Sequence, residues 1–303
     1  MKNAFLALSI LYNMTVVNAQ STNITSTLEV FDLETNQRTT ILTEDGHFEA
    51  PNWSRDGRFF IINQNGGLFK VGMDGKKEAI YTGLADKCNN DHGISPDGNT
   101  LVLSHSLEDG EDGWLTSCIF TVPVTGGEPV RITAHTPSFW HGWSPDGETL
   151  VYTAKRGDNF DIYSIPASGG DEIQLTNSDG LDDGPDYSPD GKYIYYNAIE
   201  SGTMEIWRMK ADGSDKKQLT DDPYSNWFPH PSPDGQHIVF ISYLEDQGSA
   251  HPAMKKVALK LYDIAHKTIK TLCAFTGGQG SLNVPSWSPD GKRFAFVSYA
   301  YKN

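Results

Sequence analysis

A single four-residue turn recurs six times along this chain. Its copies are Ser54-Arg55-Asp56-Gly57, Ser95-Pro96-Asp97-Gly98, Ser144-Pro145-Asp146-Gly147, Ser188-Pro189-Asp190-Gly191, Ser232-Pro233-Asp234-Gly235 and Ser288-Pro289-Asp290-Gly291. Successive serines stand 41, 49, 44, 44 and 56 residues apart, the period of a β-propeller blade rather than of a helical solenoid unit. The turn has a mechanism. Proline presets φ for a type I turn, serine and aspartate bond back to the local backbone, and glycine accepts the positive φ that closes a hairpin.

Each turn should therefore join two antiparallel strands. An apolar run of strand type follows every copy, at 59–62, 101–103, 150–153, 193–196, 238–241 and 294–297. A third run comes next, at 68–71, 118–122, 162–165, 206–209 and 259–264. In most repeats a second hairpin signal follows it, such as Asp74-Gly75 or Gly169-Gly170. A short fourth strand, such as 172–176 or 217–220, leads to the next repeat, so the expected fold is all-β: a six-bladed β-propeller of four-stranded antiparallel blades. After Ser288 only two strands fit, around 293–299. The runs 27–32 and 39–42 resemble the missing outer pair, so an N-terminal hairpin is expected to complete the last blade and close the ring.

Residues 1–19 read as a signal peptide: Lys2 supplies the charge, 4–17 is mainly apolar, and Val17-Asn18-Ala19 suits cleavage after Ala19. The apolar stretch is too short and too interrupted for a membrane span. Export to a periplasmic or extracellular space is the expectation, with 20–303 forming one propeller domain and the protein a monomer. The net charge of −15 disfavours nucleic acid and anionic lipid surfaces as partners, since both are bound through clustered Lys and Arg. Cys88, Cys118 and Cys273 are odd in number and form no Cys-x-x-Cys pair, so buried single thiols are expected. A Cys88–Cys118 bridge stays open as an alternative.

Trp143-Ser144-Pro145-Asp146-Gly147 and Trp287-Ser288-Pro289-Asp290-Gly291 each precede an apolar strand. Ile162-Tyr163 and Ile206-Trp207 mark a later strand, and Gln174-Leu175-Thr176 and Gln218-Leu219-Thr220 close the unit. These repeats resemble those of the TolB-like propeller family over about 27–303. The resemblance implies the fold; for function it spans periplasmic TolB proteins, oligogalacturonate lyases and the propeller halves of prolyl oligopeptidase-like enzymes. Family TolB proteins carry an α/β domain ahead of the propeller, whereas about eight residues separate the cleavage point from the first strand here. The peptidases add a Gly-x-Ser-x-Gly elbow, which this sequence lacks. The nearest resemblance is to small, exported, single-domain TolB-like propellers.

Strand order sorts residues onto faces. The six turns and the third hairpin of each blade share one face. The opposite mouth receives the blade connections, with Glu49, Asn52, Asn89, Asn90, Asp91, His92, Trp140, His141, Asp182, Asp183, Asp186, Asn226, Trp227, His230, Gln279, Asn283 and Ser286. Loops between second and third strands add Lys155, Arg156, Asp158, Glu200 and the segment 245–256 with His251.

His92, His141 and His230 near one axis would suit a divalent metal, with Asp91 or Asp186 completing the shell. The alternative is that each histidine bonds a neighbouring blade, because strand period two points them to different sides unless a bulge intervenes. Trp140 and Trp227 would suit stacking on sugar rings, against the alternative of blade packing. Asn226 and Gln279 would hydrogen-bond a ligand, and Arg156 would hold an anionic one or simply stay solvated. Asp182, Asp183 and Asp186 suit acid–base work or calcium, or turn capping. Two functions follow. One is a non-catalytic module binding a protein or glycan at the mouth. The other is a lyase or hydrolase acting on acidic oligosaccharides through His92, His141, His230 or His251 with Arg156, with possible metal assistance.

Overall fold

The computed structural model describes residues 23–109 and 112–302; the expected signal peptide lies outside them. Six antiparallel sheets surround one axis. Blade 1 contains β3 (Glu49–Trp53), β4 (Phe59–Gln64), β5 (Gly67–Gly72) and β6 (Lys77–Ala79). Blade 2 contains β7 (Cys88–Ile94), β8 (Thr100–Ser106), β9 (Ser117–Pro123) and β10 (Val130–Arg131). Blade 3 contains β11 (Ser138–Trp143), β12 (Thr149–Lys155), β13 (Phe160–Pro166) and β14 (Ile173–Gln174). Blade 4 contains β15 (Asp182–Tyr187), β16 (Tyr193–Ala198), β17 (Glu205–Lys210) and β18 (Lys217–Gln218). Blade 5 contains β19 (Ser225–Pro231), β20 (His237–Tyr243), β21 (Lys255–Asp263) and β22 (Thr268–Gly277).

The last blade closes the ring as the terminal runs predict. β1 (Ile24–Asp32) pairs with β23 (Arg293–Tyr301) from Ile24↔Tyr301 to Asp32↔Arg293, and β2 (Gln37–Asp45) flanks β1. One strand, not two, follows Ser288. The innermost position of this blade is reduced to the single bridge Trp287↔Phe294.

All six turns adopt one geometry. Each glycine N–H donates to the carbonyl of its serine, and the serine hydroxyl bonds its aspartate, as in Ser54–Asp56 at 2.8 Å. The six glycine φ angles lie between 68° and 78°, the region that favours glycine. The turns also touch one another around the axis. A methyl group on Gly57 would meet Pro289, one on Gly147 would meet Pro96, one on Gly191 Pro145, and one on Gly291 Pro233. At Gly98 the neighbour is the side chain of Arg55.

The core lies between blades, where the faces of adjacent sheets meet; Trp140, Tyr152, Tyr196, Phe240 and Phe296 are all less than 2% exposed. Cys88 pairs with His105 and His105 with Cys118. Two ladder spacings put those Cα atoms roughly 9–10 Å apart, beyond the ~7 Å limit for a disulfide. The Cys88–Cys118 bridge is therefore not made, and all three cysteines are free. Among the described residues no helix is long and apolar enough to cross a membrane.

Candidate functional site

The polar residues expected in mouth loops lie mostly in the innermost strands. All five of these strands carry a register shift on the mouth side of the turn: Glu49/Asn52, Cys88/His92, Trp140/Gly142, Asp183/Asp186 and Trp227/His230. In three of them the bulge begins with a left-handed residue followed by proline: Ala50 (φ 57°), Gly184 (φ 62°) and Phe228 (φ 54°). An extra residue re-aims the side chains after it. That is how strands so rich in Asp, Asn, His and Pro are accommodated around the axis.

Near the mouth these strands assemble a nearly buried acid–imidazole cluster. His141 Nε2 lies 3.1 Å from Asp183 Oδ1, and His251 Nε2 lies 3.8 Å from Asp183 Oδ2. Thr153 Oγ1 donates to Asp183 Oδ1 at 2.7 Å, and the Gly184 N–H does so at 2.8 Å. Asp91 accepts from Asn89 Nδ2 at 2.7 Å. Gln279 bonds His251 and accepts from Asn283 Nδ2 at 3.3 Å. Glu49 completes the group, 4.0 Å from His47, whose ring stacks on Tyr299 at 5.0 Å.

Electrostatics divides the carboxylates. Burial, with the charges of Asp183 and Glu49, pushes Asp91 up to about 7 against the pull of His141. Burial also raises Glu49. In Asp183 the burial effect is outweighed by the hydrogen bond and charge of His141, helped by His251 and Thr153, and it falls to about 2. His141 is raised, because Asp91 and Asp183 overcome its desolvation, whereas desolvation keeps His251 low despite Asp183.

A second pair is anchored between blades 4 and 5 and the segment leading into the last blade. His230 Nδ1 lies 3.0 Å from Asp186 Oδ2, and its Nε2 lies 3.0 Å from the Leu282 carbonyl. The Leu282 carbonyl can only accept, so Nε2 donates to it and Nδ1 faces the Asp186 carboxyl. The pair works as an inter-blade tie.

This fold has counterparts among known proteins. Residues 133–260 match the TolB beta propeller domain. An uncharacterized protein of Agrobacterium fabrum is 44% identical over 276 residues, covering 90% of this chain and 92% of the relative. The chain belongs to the TolB-like six-bladed β-propeller family. A solved Agrobacterium tumefaciens protein with a provisional TolB name superposes with a TM-score of 0.86 at 44% identity, over 91% of this chain and 99% of that one. TolB from Acinetobacter baumannii shares the fold at a TM-score of 0.63 and 18% identity, over 86% of this chain and 65% of that one.

Within this TolB-like propeller the expected site residues separate into groups. Asp91, His141, His251 and Gln279 come together, and Asp186 and His230 pair with each other. His92 turns away: its Nε2 donates to the Ile61 carbonyl at 3.1 Å, and burial pulls it down to about 4. His92, His141 and His230 thus have separate partners. Among the described residues no set of three His, Cys, Asp or Glu is arranged to hold a metal ion.

Trp140 and Trp227 are 1% and 0% exposed. They lie in the inner strands instead of mouth loops, which leaves no ring face open to a sugar. Asn226 is consumed inside the fold, donating to Glu205 at 2.8 Å and Asp222 at 3.0 Å and accepting from Ser242. Asp182 accepts from Ser178 at 2.6 Å. Arg156 is held by both carboxylate oxygens of Glu172, at 2.6 and 2.9 Å. Sequence reasoning missed Thr153, His47 and Tyr299. A threonine at the end of the apolar run 150–153 is the one visible signal among them.

Proposed function

We propose that this chain is an exported TolB-like propeller that acts as a non-catalytic binding module, taking a protein segment at the mouth lined by Glu49, Asp91, His141, Asp183, His251 and Gln279. The observation that carries this reading is the convergence of three carboxylates on two imidazoles with no Lys or Arg among them. Such a group favours a cationic or hydrogen-bond-donating partner, such as a lysine, an arginine or a peptide amine. Burial of both indoles and the engagement of Arg156 by Glu172 remove the aromatic platform and the free cation that an acidic oligosaccharide would use. Export is supported by the sequence of residues 1–19.

Calorimetric titration tests the proposal with short lysine- or arginine-terminated peptides against neutral and acidic oligosaccharides. Binding of the basic peptides alone, lost in Asp91→Asn and Asp183→Asn, is the expected result. Formation of an unsaturated product from oligogalacturonate, followed by ultraviolet absorbance, would sink it in favour of a lyase.

A further inference from the structure

Five of the six turns carry proline at the second position, and one carries Arg55. The backbone does not demand the exchange. Gly57 keeps a φ of 77°, its N–H donates to the Ser54 carbonyl at 3.0 Å, and the Ser54 hydroxyl bonds Asp56, as in the other turns. What differs is the space beside it. Arg55 lines a cavity of about 610 Å³ on the turn face between blades 1 and 2, a volume typical of small-molecule sites.

The cavity has apolar walls and a particular charge arrangement. Phe59, Ile80, Ile94 and Val124 supply the walls. Arg55 donates from Nε to the Ser95 carbonyl at 3.3 Å and from Nη2 to the Ile94 carbonyl at 2.9 Å, both neutral acceptors. Among the described residues it has no carboxylate within salt-bridge distance; Asp186, whose charge reaches it, is already bonded to His230. Arg55 is exposed as a residue, while the surrounding protein desolvates its guanidinium and lowers its pKa. Lys70 also lines the cavity, its ammonium 4.5 Å from the centre of the Phe59 ring.

The acidic residues here are largely committed. Asp56 is bonded by Ser54 and Arg58, and Asp97 by Ser95 and Asn99. Glu78 stands opposite Lys70 in the β5–β6 ladder. Arg55 brings a guanidinium whose acceptors are neutral carbonyls, a planar donor fork that matches a carboxylate.

We propose that this inter-blade cavity is a second binding site, on the face opposite the acidic mouth, for a small amphipathic monocarboxylate. The carboxylate is held by Arg55, and the aliphatic or aromatic body lies along Phe59, Ile80, Ile94 and Val124.

The test is an NMR titration of methyl-labelled protein with benzoate and hexanoate, using benzamide and inorganic phosphate as controls. Saturable shifts of the Ile80, Ile94 and Val124 methyl groups with the two carboxylates, and at least tenfold weaker responses to both controls, are expected. Arg55→Pro installs the residue the other five turns use, so it should melt within a few degrees of the parent while binding benzoate at least tenfold more weakly. Arg55→Gln checks the same loss without altering φ, and Asp91→Asn, on the opposite face, should bind benzoate normally. Equal benzoate affinity in the parent and either Arg55 variant would overturn the proposal. So would methyl shifts as large with benzamide as with benzoate, or no methyl shift with either carboxylate at tens of millimolar.

Discussion

Gly93 and Trp140 occupy neighbouring blades and leave no room for a side chain between them: a Cβ on Gly93 would fall 2.1 Å from Cη2 of the indole. Trp140 is 1% exposed and sits in the cluster that joins blades 2 and 3, so it has nowhere to retreat. Gly93→Ala should destabilise the protein by about 3 kcal/mol, the upper part of the usual overpacking range, as read from urea denaturation. Adding Trp140→Phe frees ring volume at the contact. The double variant should therefore lose less than the two single losses combined, a non-additivity expected only for residues in contact.

The acid–imidazole cluster predicts opposite pH responses for two aspartates. Asp91 is raised to about 7 in the folded protein, against an unfolded value near 3.9, so the folded state holds its proton more tightly. Its ionisation therefore costs stability progressively between about pH 4 and 7. Asp91→Asn should raise the melting temperature at pH 8 and have little effect at pH 4.

Asp183 behaves in the reverse sense. Its folded value is lowered to about 2, so its stabilisation is fully present above the unfolded value near 4 and disappears as pH falls from about 4 to 2. Asp183→Asn removes the charge that faces His141 and should cost about 3–5 kcal/mol at pH 7, the loss expected when a buried pair is broken. The same variant should lower the His141 pKa followed by NMR. Melting curves across pH 2–8 for the parent and both variants separate the two aspartates, and parallel curves would refute the assignment.

The blades were legible because each is spelled by a turn with a strict physical role and by apolar runs of strand length. The closing hairpin was legible because 27–32 and 39–42 had no other partner. The innermost strands were not. Cys88-Asn89-Asn90-Asp91-His92 and Asp182-Asp183-Gly184-Pro185-Asp186 are spelled like loops, since glycine, proline, asparagine and aspartate normally break strands. Around a propeller axis they are strands because their polar groups find partners in adjacent blades and a bulge absorbs the left-handed residue and the proline. The same fact explains why Trp140 and Trp227 are packing residues, and why His92 separates from His141.

The thiols give a simple chemical check. Burial pushes Cys88 up to about 12 and Cys273 up to about 11, and it also raises Cys118. A thiol held neutral is a poor nucleophile. The native protein should show no rapidly reacting thiol with a disulfide reagent at pH 8, and three after unfolding in urea without reductant. Only one titratable thiol in urea would mean that two cysteines are bridged, against the ladder geometry of Cys88, His105 and Cys118.

Arg156 offers the last test, because the sequence leaves it open as an anion-binding residue whereas the fold uses it as a clamp. Its guanidinium holds both oxygens of Glu172, the Pro137 carbonyl at 2.7 Å and the Ser138 hydroxyl at 2.7 Å, while the Tyr152 hydroxyl donates to the same Glu172 at 2.7 Å. A lysine cannot reproduce that fork. Arg156→Lys should therefore cost about 1.5–3 kcal/mol in urea denaturation, the range of a hydrogen bond to a charged group. Glu172→Gln should cost a comparable amount, and the double variant less than the sum. If Arg156→Lys instead left stability unchanged and weakened binding of an acidic oligosaccharide, the residue would be a ligand contact and the mouth would have to be read as a sugar site.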